Sequence, residues 1–165
     1  MPESFSTRLL RLKINLFPAY RGTGARVTYI ADDFREVRIR LPLSWRTRNL
    51  VGTIFGGSLY GAVDPVYMIM LMRLLGRDYI VWDKSAEIRF RKPGRATLYA
   101  TFKISEEELT AIRAVTANGP IDRVYQVDLV DAAGIAHASV TKTIYIRRND
   151  RETSSVQRAD EPRNR

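Results

Sequence analysis

Asp64 stands inside the most apolar stretch of the chain. The segment NLVGTIFGGSLYGAVDPVYMIMLMRLLG runs from Asn49 to Gly76 and contains about eighteen residues that are apolar nearly all round. Such a helix must be buried on most sides. A carboxylate in its middle is costly unless it is paired or put to use. Two uses are open: it can bond backbone groups freed by Pro65, or it can serve as a general base or nucleophile. Gly56 and Gly57 form the entrance to the helix. The first N–H groups of a helix have no internal partner, and the dipole favours negative charge there. Glycine also lets a reactant approach the backbone closely. Donors for a developing oxyanion therefore stand at one end and a carboxylate stands further in. Asn49, upstream, either bonds its own loop or positions water or a carbonyl.

The spacing adds a condition. Seven helical residues separate Gly57 from Asp64, a rise of about 10 Å. One small carbonyl group cannot touch both in the same helix. A site using both takes Gly57 from one chain and Asp64 from another, which requires a homodimer. Other chemistry is excluded by composition. The chain has no cysteine and one histidine, His137, so neither a thiolate nucleophile nor a zinc site with several histidines can be built. Ser58 and Tyr60 are near enough in sequence to assist, but Ser58 has no histidine base in view. Tyr67, Met68, Met70 and Met72 are either plain core or the lining of an apolar slot.

These residues need a scaffold. The chain has 165 residues, 45% of them hydrophobic and 27% charged, which fits one globular domain with a single core. Residues 5–20, FSTRLLRLKINLFPAY, place Phe5, Leu9, Leu12 and Leu16 at helical spacing with Arg8, Arg11 and Lys13 between them, and Pro18 closes the pattern. This amphipathic helix either packs on the domain edge or lies on a membrane surface. Ala25–Ile30 and Glu36–Leu43 read as strands. In the second, Val37, Ile39 and Leu41 alternate with Arg38 and Arg40. The central helix follows, with a kink expected at Pro65 and a stop at Gly76. Tyr79–Phe90, Ala96–Ile104, Arg123–Val130 and Ile135–Ile146 are further strands. The turn 91–94 joins the first two, and residues 131–134 turn the last two into a hairpin. Ser105 followed by Glu108 caps a short helix that ends at Asn118-Gly119-Pro120. The arrangement is α+β: about six antiparallel strands curved around one long central helix. Residues 1–148 form the domain, and 149–165 form a polar, basic tail without periodicity, expected to be disordered.

The net charge is +9, of which +6 falls in residues 1–50. That balance favours anionic partners. It is spread over the termini rather than gathered into an aromatic-interleaved stripe, so nucleic acid is not expected as a partner. The longest apolar run, Val66–Met72, is too short to span a bilayer. No secretory signal is apparent, and the expected location is the cytoplasm.

Asn49, then Phe55-Gly56-Gly57, then Asp64 resembles the signature of hotdog-fold acyl-CoA thioesterases of the phenylacetate-pathway type. Those carry Asn, a His-Gly-Gly six residues on and an acidic residue seven beyond the second glycine. The strings GTIFGGSLYGAVDP and DYIVWDKSAEIRFRKPGR are similar to a little-characterised, thioesterase-like branch of the same superfamily, over most of residues 10–148. The departure is at the histidine, where this chain has Ile54 and Phe55. The resemblance implies the hotdog fold, a homodimer or tetramer, and hydrolysis of an acyl-CoA or acyl-carrier thioester, with no metal or redox cofactor.

What thioester hydrolysis needs then suggests a role for each residue. Gly57 N–H polarises the thioester carbonyl, Asp64 is the base or nucleophile, and Asn49 positions water or the carbonyl. Phe55, Gly56, Ser58 and Tyr60 surround the substrate. Coenzyme A carries phosphates, and Arg89, Arg91, Lys92 and Arg95 cluster at one turn that suits them; the other reading of that cluster is a solvated strand end. Asp83-Lys84, inside a strand, reads as a buried ion pair or a dimer contact. The alternative function is an acyl-thioester or lipid-binding hotdog protein without catalysis. A hydratase on the same scaffold would place a histidine beside the acid, and His137 lies in another segment.

Overall fold

The computed structural model describes residues 3–149. Helix α1 (Phe5–Leu16) and the short helix α2 (Pro18–Gly22) lead into strands β1 (Arg26–Ile30) and β2 (Glu36–Leu41). Helices α3 (Gly56–Val63) and α4 (Val66–Leu75) follow, then β3 (Tyr79–Phe90), β4 (Leu98–Lys103), α5 (Glu106–Val115), β5 (Ile121–Val130) and β6 (Ala136–Arg148). The tail expected from residue 149 lies outside the described residues, apart from Asn149, whose N–H donates to Asp78 O at 2.7 Å.

The six strands form one sheet in the order β1-β2-β4-β5-β6-β3, antiparallel throughout. Alternation decides which face is inner. Val37, Ile39 and Leu41 of β2 and Leu98, Ala100 and Phe102 of β4 are buried, and the residues between them are more exposed. In β6 the inward row is Ala138, Val140, Lys142, Ile144 and Ile146, all buried. This inner face packs on α3 and α4 through Leu59, Ala62, Val63, Val66, Tyr67, Met70 and Leu71. The curved α+β sheet around a central helix is therefore as the alternation predicts.

The central helix breaks where proline requires it. Pro65 has no N–H to donate to Gly61 O, so α3 ends at Val63 and α4 begins at Val66. Side chains supply donors to carbonyls beside the break: Tyr20 Oη donates to Ala62 O at 3.1 Å, and Lys142 Nζ to Asp64 O at 2.6 Å. Gly76, with φ +84°, closes α4. Gly56–Leu75 is, among the described residues, the one helical stretch long and apolar enough to cross a membrane; half of it is buried inside the fold, as in a core helix.

Two expectations change. The turn 91–94 joins β3 to β4, but these strands are not neighbours; β3 pairs with β6 and β4 with β2 and β5. The connection therefore crosses over, whereas the 131–134 turn does make a hairpin, of β5 and β6. The N-terminal helix does sit on the domain edge, but its apolar stripe is not what it buries. Thr7 is buried, and Leu10 and Ile14 pack on the core. Phe5, Leu9, Leu12 and Leu16 face outward. As expected, α1 closes ahead of Pro18, with Phe17 extended before it; the proline then starts the separate short helix α2.

Candidate active site in two clefts

Asp64 is the last residue of the α3 turn, and its side chain keeps 40% of its surface exposed. Its Oδ1 accepts from Lys142 Nζ at 2.7 Å. The same ammonium meets Asp83 Oδ2 at 2.9 Å. Together with Asp64 O, these account for all three donors of an ammonium group, and Lys142 is only 1% exposed. Burial of a lone ammonium would be prohibitive; two carboxylates and a carbonyl make it tolerable. A register shift between Asp83 and Ser85 lets Asp83 and Lys84 follow different partners. Asp83 turns to Lys142, while Lys84 reaches outward to Asp122 at 2.6 Å. Of the two readings of that dipeptide, the buried ion pair holds for Asp83, with Lys142 as its partner; the pair that Lys84 makes is exposed. Asp83 Oδ1 is buried without a hydrogen-bond partner among the described residues. Burial and then the neighbouring Asp64 push the Tyr60 hydroxyl up well above the ordinary tyrosine range. Tyr60 also lies beneath Lys142, whose Nζ is 5.8 Å from the ring centre.

Asp64 lines a cavity of about 520 Å³. Ile14, Phe17, Tyr20, Pro65, Met68 and Ile69 give it apolar walls, with Lys13 also among its lining residues. Of the four residues proposed as core or slot, Tyr67 and Met70 are core, Met68 lines this cavity and Met72 is exposed.

A second cleft, of about 380 Å³, opens at the other end of α3 and brings Asn49, Gly56, Arg91 and Lys92 together with Ile54 and Phe90. Asn49 shapes its rim. Its Oδ1 accepts from the N–H groups of Val51 and Thr53, and its Nδ2 donates to Thr53 Oγ1 at 2.9 Å. Phe55, the N-cap, gives α3 no side-chain acceptor, so the first N–H groups of the helix remain available. A Cβ on Gly56 would meet the Phe90 ring at 3.1 Å, and one on Gly57 would run into the Phe55 ring; glycine is needed here for close packing. Ser58 is buried behind this entrance.

The basic cluster divides. Arg91 and Lys92 line the cleft, and Arg91 Nε donates to Ser139 Oγ at 2.6 Å. Arg89 pairs with Glu87 at 2.7 Å, and Arg95 is exposed outside the lining. His137 is engaged away from both acids of the Lys142 cluster. Its ring nitrogens lie 3.0 Å from Pro93 O and 3.1 Å from Asp131 Oδ2, and that contact with His137 holds the Asp131 carboxyl below its usual range. Among the described residues no cluster of three or more His, Asp or Glu is arranged to hold a metal ion.

Sequence reasoning did not single out Lys142. The signal was present: a lysine at an inward position of an otherwise apolar alternating strand.

Solved structures share this architecture. A protein from Pseudomonas aeruginosa described as a probable thioesterase superposes with a TM-score of 0.76 at 20% identity, over 90% of this chain and 99% of that one. A thioesterase from Haemophilus influenzae gives 0.65 at 13% identity, over 88% and 93%. A protein of unknown function from Chlorobaculum tepidum gives 0.69 at 17%, over 86% and 94%. At such identities the likeness establishes the fold alone, the hotdog fold. A search of the curated proteins finds no match. The family model described as "Domain of unknown function (DUF4442)" matches residues 6–146, and the chain belongs to that family.

Proposed function

We propose that the protein hydrolyses an acyl thioester, of coenzyme A or an acyl carrier, at sites shared between two copies of the chain. The observation that carries this reading is the half-exposed Asp64 carboxylate, oriented by a buried lysine on the wall of an apolar cavity. An acyl chain is the ligand such walls suit. In the reaction Asp64 takes a proton from water as the water oxygen attacks the thioester carbon. The first N–H groups of α3, Gly57 above all, hold the carbonyl oxygen as it gains charge. The carbon–sulfur bond then breaks, and the leaving thiolate takes up the proton that Asp64 accepted, which restores the carboxylate.

The two clefts of one chain hold complementary halves of this machinery. One has the carboxylate and apolar walls; the other has the helix N-terminus, Asn49, Arg91 and Lys92. A second copy brings the halves together, as the 10 Å rise between Gly57 and Asp64 requires. Support for a second copy comes from β3, a twelve-residue strand at the end of the sheet that carries the exposed Trp82 and Phe90. In this reading Arg91 and Lys92, both on the cleft wall, bind phosphates of the carrier.

Phe55 at the histidine position favours one second reading, an acyl-thioester binder without turnover. An acyl-CoA panel read with a thiol-detecting dye, on wild type beside Asp64→Ala, separates them. Hydrolysis predicts thiol release that Asp64→Ala abolishes. Binding without thiol release supports the second reading.

A further inference from the structure

The outward face of α1 is finished as an interfacial surface. At about 100° per residue, Phe5, Leu9, Leu12 and Leu16 fall in one narrow stripe; Phe17, just past the helix, is exposed as well. Their exposures run from 43% at Leu9 to 84% at Phe5. The opposite side of the helix, with Thr7, Leu10 and Ile14, is the side that meets the domain. Arg8 flanks the stripe on one side and Lys13 on the other; both are exposed, and so is Arg21 just beyond. Glu3 is the one acidic side chain in residues 1–22. It is turned inward, accepting from Arg11 at 2.8 Å and from the Ile30 N–H at 3.2 Å. The stripe therefore has cations on both flanks, Arg8 lying 3.8 Å from Glu3, and residues 3–22 carry no unpaired carboxylate.

We propose that this face docks on an anionic lipid surface, with the stripe inserted among the acyl chains and the flanking cations at the headgroups. That is the arrangement of a helix lying in the membrane plane. A second copy of the chain is the weaker occupant, since stripe-on-stripe packing would bring Arg8 and Lys13 towards their own kind. Continuity with the cavity favours lipid as well. Lys13 and Phe17 belong to both the exposed face and the lining of the 520 Å³ cavity. An apolar chain could pass from a bilayer to the cavity beside Asp64 with little exposure to water. The docking itself stands on the helix face and does not depend on hydrolysis.

The test is co-sedimentation of the full chain with phosphatidylcholine vesicles, with and without phosphatidylglycerol. Wild type is expected in the pellet with the anionic vesicles and mostly in the supernatant with the neutral ones. The double variant Leu12→Glu/Leu16→Glu should lose at least about tenfold in partitioning, and Arg8→Glu/Lys13→Glu should lose less and respond less to salt. Leu9→Ser/Leu16→Ser is a milder pair in case the acidic pair disturbs α1, and circular dichroism checks the fold of each. Absence of wild-type binding, or equal binding by the stripe variants, overturns the proposal. So does a fall in the light-scattering mass of the stripe variants without any loss of vesicle binding, which would assign the face to a second copy.

Discussion

At the β1 edge of the sheet, side chains from α1 occupy the outer backbone groups. Asn15 donates to Val27 O at 2.9 Å and accepts from Val27 N–H at 2.8 Å, and Glu3 accepts from Ile30 N–H. The strand is five residues long. At the β3 edge the strand is twelve residues long, no further strand pairs with it in the described chain, and Trp82 and Phe90 stand exposed along it. Its support comes from beneath, through Asp83 and Lys142. Natural sheets blunt edges that must stay single. The β1 edge is built to end the sheet, and the β3 edge is suited to continue it in another molecule.

The largest effect follows from spoiling the open edge. On the proposed shared site, Trp82→Glu should lower the light-scattering mass from about twice 18.9 kDa to that of a single chain. Turnover should then fall by on the order of 10²–10⁴, the usual contribution of a positioned base, because in the proposed site each carboxylate would lose the helix N-terminus of the other copy. A dimeric, active Trp82→Glu protein would break the contrast between the edges. Next is the support beneath β3. Lys142→Met leaves two carboxylates facing each other and should cost about 3 kcal/mol in urea unfolding. Lys84→Met, at the bulge itself but exposed, should cost less than about 1 kcal/mol. Equal losses would show that burial of the ammonium does not matter. At the closed edge, Asn15→Ala removes both bonds to Val27 and should cost about 1–2 kcal/mol without changing the oligomeric mass.

The smallest effect depends on pH. Arg11 beside Glu3 holds its carboxyl below the ordinary value of 4.5. A depressed carboxyl stabilises the fold above that value, and the contribution is lost as pH falls below it. Glu3→Gln should therefore be less stable than wild type at neutral pH, by about 1 kcal/mol. The two should converge in urea midpoints as the pH is taken down towards 3. A gap that persists in acid would show that packing, and not the charge, ties α1 to β1.

Local patterns made much of this legible. Alternation located β2 and β6, and Pro65 located the break in the helix. Lys142 was visible as an anomaly in an apolar row. Its partners were not, because Asp64 and Asp83 reach it only through the neighbouring positions of β6, β3 and the helix break, and through the shift at Asp83–Ser85. The stripe on α1 was equally visible, but not its direction. Glu3, Asn15 and Thr7 find acceptors and donors on or near β1 and α1, and these polar contacts turn the apolar side outward. The division of the site residues between two clefts follows from the length of α3, which spacing alone anticipated.

Mixed dimers test the shared site most directly. Asp64→Asn and Gly57→Val chains, each inactive alone, are unfolded together, refolded and checked for heterodimers by native mass spectrometry. A site that takes Gly57 from one copy and Asp64 from the other is intact once in every heterodimer, so thioester hydrolysis should return to about a quarter of wild type for random pairing. Confirmed heterodimers with no return of thiol release would contradict a site shared between chains.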